Sequence, residues 1–175
     1  MEAIQIIEET FLELEADLTE ALDGLNATEL TWSPVIHANS ISFTLWHLSR
    51  AEDIWVSNFA LNTSDVIERC VQFPKWNIPS EDSGYDYTIE QLTSFPDIPI
   101  HELWEYHQSV RRQSLSYLRS LQPADFDYVP TNHKQRRWGR RGYTIGQMFS
   151  HLVCELGEHV GHICYLRGLQ RGLNK

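Results

Sequence analysis

The segment that decides the fold is residues 144–168, TIGQMFSHLVCELGEHVGHICYLRG. Its apolar residues recur at three- and four-residue intervals after Thr144, which predicts one helix with that threonine as its N-cap. One stripe of this helix carries only histidine and glutamate: His151, Glu155, Glu158, His159 and His162. Neither Lys nor Arg joins the stripe before Arg167, although a solvent-facing helix normally mixes both charge signs. Imidazole and carboxylate together are the donor set that a divalent metal prefers.

The spacing within this stripe offers three candidate ligand pairs. Residues four apart on a helix lie one turn apart, and their side chains reach a common point. The pairs with this spacing are His151 with Glu155, Glu155 with His159, and Glu158 with His162. Spacing alone leaves the choice among them open.

His47 is the candidate third ligand, which must come from a different helix. The residues that share its helix face are apolar: Phe43, Ala51, Ile54 and, in part, Trp55. An imidazole on such a face points into the core. A core histidine bonded to a neighbour is the simpler interpretation of a lone histidine, but the His/Glu stripe across the bundle favours metal ligation.

The remaining histidines are expected to be exposed or hydrogen-bonded: His37, His101, His107 and His133. Of these, His107 is the best candidate to support a metal ligand.

Helical periodicity extends to most of the chain. Three further segments have it: about 2–22, 41–61 and 100–121. Residues 62–98 form a long connection rich in Pro, Ser, Asp and Gly, with a short helical turn near 88–95. A connection of this length in a compact domain usually lines a cleft. We therefore predict an all-α four-helix bundle, one domain over residues 1–175, with this long connection between its second and third helices.

Composition excludes several classes of protein. The formal net charge is −10, which argues against nucleic acid as a partner because phosphate contacts need clustered Lys and Arg. No apolar run is long enough for a membrane span, and the acidic start lacks the basic region of a secretory signal. We expect a cytoplasmic protein whose three cysteines are reduced, with Cys154 and Cys164 as packing residues.

A basic loop, KQRRWGRR at residues 134–141, interrupts the acidic chain. A solvated loop is the simplest interpretation. The alternative is a site for the anionic groups of a small ligand. The arginines that would bind such groups are Arg136, Arg137, Arg140 and Arg141.

Small residues line another flank of the last helix: Gly146, Ser150, Cys154, Gly157, Gly161, Cys164 and Gly168. Glycine inside a helix costs roughly 0.5–1 kcal/mol relative to alanine, so several on one side predict close approach by another helix. That helix belongs either to this subunit or to a second copy. Together with six tryptophans, the flank leads us to expect a homodimer.

Three segments resemble the DinB/YfiT-like proteins, including their mini-circle-type branch. SISFTLWHLSRAEDIW, residues 40–55, resembles the second helix of that family, and HLVCELGEHVGHICYLRG, residues 151–168, resembles its last helix. DSGYDYTIEQL, residues 82–92, is similar to the equivalent part of the family's long connection. The resemblance implies a four-helix bundle whose metal is bound by one histidine of the second helix and an i,i+4 pair of the last.

The resemblance also implies which residues are the ligands. Aligning V-G-His162-I with the family's G-[QH]-I step puts the pair at Glu155 and His159, and His47 completes the set. Many members have histidine at the first position of the pair. Glutamate there is similar to the mycothiol-dependent maleylpyruvate isomerase and to the mini-circle-type branch.

The function that this resemblance implies is a metal-dependent transferase joining a low-molecular-weight thiol, such as mycothiol, bacillithiol or glutathione, to an electrophile. Zinc and nickel are favoured, and iron also fits. Proton transfer is assigned to His162, Glu158 or His151. The four loop arginines would bind carboxylates of the thiol. The alternatives are a hydrolase or isomerase using a metal-bound hydroxide with Glu158 or His162 as base, and a non-catalytic, stress-associated dimeric metal-binding bundle.

Overall fold

Four long helices dominate the computed structural model, which describes residues 2–131 and 142–172. They are α1 (Ala3–Leu22), α2 (Ile41–Asp53, continued as a π-helical segment Ile54–Ala60), α3 (Ile100–Ser120) and α4 (Ile145–Arg171). Helices α1 and α2 each pack against both α3 and α4. The described residues contain no strand, so the predicted all-α bundle is confirmed, and α4 continues three residues beyond the predicted end.

The helices begin where the sequence offers caps. Thr144 Oγ1 accepts the Gln147 N–H at 3.1 Å, and the Gln147 side chain accepts the Thr144 N–H at 3.0 Å. Ser40 Oγ accepts the Phe43 N–H at 3.2 Å at the start of α2. Each bond satisfies a backbone donor that a helix start would otherwise leave unpaired, which confirms Thr144 as the N-cap.

Helix α2 is the centre of the bundle. Every residue from Ile41 to Asp53 is buried. This includes two acids and a base, Glu52, Asp53 and Arg50, which are fully covered. Buried charges need partners because desolvation is costly.

One buried ion pair joins three of the long helices. Arg111 of α3 donates to both carboxylate oxygens of Glu52 on α2, with the shortest contact at 2.9 Å. The same guanidinium donates to the Phe11 carbonyl of α1 at 2.6 Å. The sequence pattern does not predict this pair.

The long connection between α2 and α3 lies against α2. It contains three short helical segments, Ile67–Arg69, Phe73–Trp76 and Ile89–Thr93, the last of which is the predicted turn. Two further short segments, Ala27–Thr31 and Pro123–Asp127, occupy the other connections and were not predicted.

The small-residue flank of α4 is not packed by another helix within the described chain. A Cβ added at Gly157, Gly161 or Gly168 would meet nothing within 4 Å. Cys154 and Cys164 are exposed, so the prediction that they are packing residues is wrong. Gly146 is the exception, because an added Cβ would lie 3.1 Å from the Phe126 carbonyl oxygen. Approach by a second copy stays a prediction.

None of the helices in the described ranges is both long enough and apolar enough to cross a membrane.

Candidate metal centre

Helices α2 and α4 bring three potential ligands to one point. His47, Glu155 and His159 each offer a ligand atom, and these atoms all lie within 4.8 Å of one another. Glu155 Oε1 is 3.4 Å from His159 Nε2 and 3.8 Å from His47 Nε2. The two imidazole rings are perpendicular, with centroids 4.7 Å apart. Three potential donor atoms from two helices therefore lie close to one point.

A backbone carbonyl sets the protonation of His47. Its Nδ1 lies 2.5 Å from the carbonyl oxygen of Ser83 in the long connection. A carbonyl only accepts, so Nδ1 carries the hydrogen and Nε2 is the nitrogen directed at Glu155. In the neutral imidazole, that nitrogen presents a lone pair to a carboxylate. A cation between them, or a proton on the ring, removes the resulting repulsion.

The charge and the donor chemistry of the site fit a divalent metal. The neighbouring imidazoles, His159 first and His47 second, hold the pKa of Glu155 well below its ordinary value, so this carboxylate is ionised at neutral pH. His159 Nδ1 is buried without a hydrogen-bond partner among the described residues. Two imidazole nitrogens and one carboxylate oxygen suit zinc, nickel and iron, and three protein ligands leave coordination positions open.

A cavity of about 280 Å³ adjoins the centre. Both histidine ligands, His47 and His159, form part of its wall. Phe43, Tyr85 and Tyr87 are among the other lining residues. A small molecule in this cavity would therefore lie beside His47 and His159.

The three residues assigned to proton transfer lie at different distances from the centre. His151 Nε2 is 4.0 Å from Glu155 Oε2, and its ring packs edge-on against Trp55 at 5.3 Å. His162 is exposed on the next turn, with its ring centroid 5.6 Å from that of His159. Glu158 is exposed. Neither Glu158 nor His162 joins the ligand group found among the described residues.

The other predicted residues lie elsewhere. Arg136, Arg137, Arg140, Arg141 and His133 fall outside the described residues. His37 is exposed and lines the cavity, while His101 is exposed on α3.

His107 does not support a metal ligand, contrary to the prediction. It is fully buried, and its ring nitrogens contact Ser49 Oγ at 3.0 Å and Glu15 Oε2 at 2.9 Å. These partners belong to a polar cluster between α1, α2 and α3. The carbonyl of Ser83, which contacts the candidate ligand His47, was missed because a backbone group has no sequence signature.

Comparisons with known proteins agree with this fold. The sequence profile of the DinB superfamily matches residues 10–163. A solved structure described as the conserved protein of locus from Enterococcus faecalis superposes with a TM-score of 0.79, at 20% identity, over 97% of both chains. At that identity the likeness is one of fold alone. No curated protein shows a significant match to this sequence.

Proposed function

This chain belongs to the DinB superfamily, and on that premise we propose that it is a metal-dependent transferase that joins a low-molecular-weight thiol to an electrophile. The observation that carries the proposal is the convergence of His47 Nε2, Glu155 Oε1 and His159 Nε2 between two helices. A partly buried, ionised carboxylate beside two imidazoles is a costly arrangement unless a positive charge compensates it. Zinc or nickel supplies that charge in our proposal, and iron also suits the donor set.

A divalent metal held by His47, Glu155 and His159 would favour the thiolate form of a bound thiol, which would make the sulfur nucleophilic at neutral pH. The protein residues orient the reactants around it. Three protein ligands would leave coordination positions open for a thiol, and the 280 Å³ cavity is lined in part by the two histidines. The electrophile is proposed to bind against the rings of Phe43, Tyr85 and Tyr87.

His151 is our first assignment for holding or moving a proton. It lies one turn before Glu155, with Nε2 4.0 Å from that carboxylate, and only 17% of its side chain is exposed. His162 is the second candidate because its ring neighbours His159. Glu158 is the weakest candidate, since it is exposed and does not belong to the ligand group found in the described residues.

The thiol must come from a small molecule. None of the three cysteines belongs to the ligand group found in the described residues. Partial desolvation, together with the nearby carboxylates of Asp17 and Glu20, raises the pKa of Cys164, so its thiol is protonated at neutral pH. The four loop arginines, Arg136, Arg137, Arg140 and Arg141, are proposed to bind the carboxylates of the incoming thiol.

The experiment begins with elemental analysis of the purified protein and of two variants, His47→Ala and His159→Ala. His101→Ala is the matched control, because His101 is exposed and outside the group. We expect one equivalent of metal in the wild type and the control, and loss of metal in the two ligand variants. Equal metal content in all four proteins would contradict the metal centre.

Activity is then measured as consumption of thiol with monochlorobimane, before and after removal of metal by a chelator. Loss of turnover on chelation, restored by zinc or nickel, supports the transferase. Full activity after confirmed metal loss contradicts it. Turnover of a substrate panel without thiol would indicate a hydrolase or isomerase. Metal binding without any turnover would indicate a non-catalytic metal-binding bundle.

A further inference from the structure

Residues 80–87 of the long connection, here called the 80–87 segment, lie against α2 beside the candidate metal centre. This segment contains Ser83, whose carbonyl oxygen accepts from His47 Nδ1. We propose that Arg50 and Gly84 are positioning residues that hold the 80–87 segment, and hence the Ser83 carbonyl, in register with His47. The inference rests on the proposed metal centre, because it concerns the orientation of one of its ligands.

Arg50 binds the segment at two residues just before Ser83. Its Nη2 donates to the carbonyl of Ser80 at 2.8 Å, and its Nε donates to the carbonyl of Asp82 at 3.0 Å. The guanidinium is fully buried. Arg50 is also three residues from His47 on the same helix, so the side chain that anchors the segment and the ring that the segment orients share one scaffold.

The guanidinium is itself held rigidly. Arg50 donates to Asp53 Oδ2 at 3.0 Å, to Asp65 Oδ2 at 2.9 Å and to the Tyr106 hydroxyl at 3.2 Å. The guanidinium is therefore paired with two carboxylates, and its two remaining N–H donors bind carbonyls of the segment. Only the planar five-donor fork of arginine reaches carboxylates on one side and carbonyls on the other, so lysine is a poor substitute.

Gly84 allows the segment to approach α2 closely. Its φ is +75°, a conformation that L-residues with a side chain rarely adopt. A Cβ at this position would lie 2.6 Å from the ring of Trp46 and 2.9 Å from the ring of Phe43. Both rings are part of the packed core, so any larger residue must push the segment outward.

The close packing at Gly84 affects His47 through the ring of Phe43. The Phe43 ring is stacked on the His47 imidazole, with centroids 6.1 Å apart and an angle of 2° between the planes. A displaced segment would thus lose the carbonyl that fixes Nδ1 and disturb the ring that supports the imidazole. Groups that orient a ligating histidine are typically worth about 10–100-fold in metal affinity.

The test compares two pairs of variants. Arg50→Lys is matched with Arg111→Lys, because Arg111 is also a buried arginine that binds a carboxylate and a backbone carbonyl, but not the 80–87 segment. Gly84→Ala is matched with Gly24→Ala, since Gly24 also has a positive φ and an added Cβ would only meet the end of Arg171 at 3.5 Å. Zinc affinity is measured by chelator competition, the cobalt(II) absorption spectrum reports ligand geometry, and circular dichroism reports folding.

We expect Arg50→Lys and Gly84→Ala to weaken zinc binding about 10–100-fold and to alter the cobalt spectrum. Arg111→Lys and Gly24→Ala should retain the wild-type affinity while losing thermal stability. Unchanged affinity and spectrum in folded Gly84→Ala would overturn the proposal, and so would equal losses in the controls. If Arg50→Lys does not fold, the zinc affinity and cobalt spectrum of Gly84→Ala alone test the proposal. A wild type that binds no zinc would instead contradict the proposed function.

Discussion

His47 Nδ1 and the carbonyl oxygen of Ser83 lie 2.5 Å apart, although 36 residues separate them in the chain. This contact selects the tautomer of His47 that directs Nε2 at Glu155. The long connection therefore takes part in the candidate centre through its backbone as well as by lining a cavity. Four predictions follow from the site and from the helices that hold it.

Zinc should stabilise the protein against heat. A ligand that binds only the folded state adds about 2.7 kcal/mol at roughly 100 times its Kd, equivalent to about 5–10 °C for a chain of this size. Differential scanning fluorimetry with and without zinc measures the shift. The shift should vanish in His47→Ala and persist in His101→Ala. A zinc-dependent shift of the same size in His47→Ala would argue against the assigned ligands.

Phe149→Ala should destabilise the bundle severely. Phe149 is completely buried on α4 and contacts the rings of Phe11, Tyr117 and Phe126. Removing a buried aromatic ring costs about 3–5 kcal/mol in lost burial and residual cavity. Urea denaturation measures the change in free energy of unfolding. Leu12→Ala is the control, because Leu12 is 49% exposed and its truncation should change little.

Arg111→Met should leave Glu52 as an unpaired charge in the core. Breaking a buried ion pair by removing one partner costs about 3–5 kcal/mol. The double variant Arg111→Met with Glu52→Gln removes both charges, and it should recover most of the loss. Urea denaturation of the two single variants and the double variant measures the coupling. Additive losses would mean that the two side chains do not act as a pair.

Glu29→Gln should reduce stability in a pH-dependent way. Glu29 accepts two bonds from Arg171, at 2.7 and 2.8 Å, and one from the Asn26 backbone N–H at 2.9 Å, and these bonds lower its pKa from 4.5 to about 2. A lowered pKa in the folded state means that the stabilisation is complete above pH 4.5 and disappears as the pH falls towards 2.

The loss in Glu29→Gln should be small, because the pair lies at the surface and salt screens it. The melting temperatures of wild type and variant, measured from pH 7 downwards, should converge below pH 4.5. A difference that is independent of pH would show that the carboxylate charge is not its source.

Most of the fold could be predicted from the sequence. The apolar spacing and caps of residues 144–168 are local properties, and they predicted α4 to within a few residues. On the small-residue flank of the same helix, Gly157, Gly161 and Gly168 face open space in the described chain, so no helix of this subunit approaches them there, and approach by a second copy stays a prediction. Glycine permits close approach by a neighbour but does not require one, so its position in a helix alone could not decide the packing.

The sequence by itself determined that histidines and glutamates share one stripe of α4 and that His47 lies on an apolar face of α2. The reason is that the spacing of residues along a helix determines which of them share a face. The spacing did not choose among the three i,i+4 pairs on that stripe as the candidate ligand pair. Only the tertiary structure decided that Glu155 and His159 meet His47, and that Ser83 and Arg50 support it. Those contacts depend on how remote segments pack. The contact of Ser83 with His47 and those of Arg50 with the 80–87 segment use backbone carbonyls, which every residue possesses.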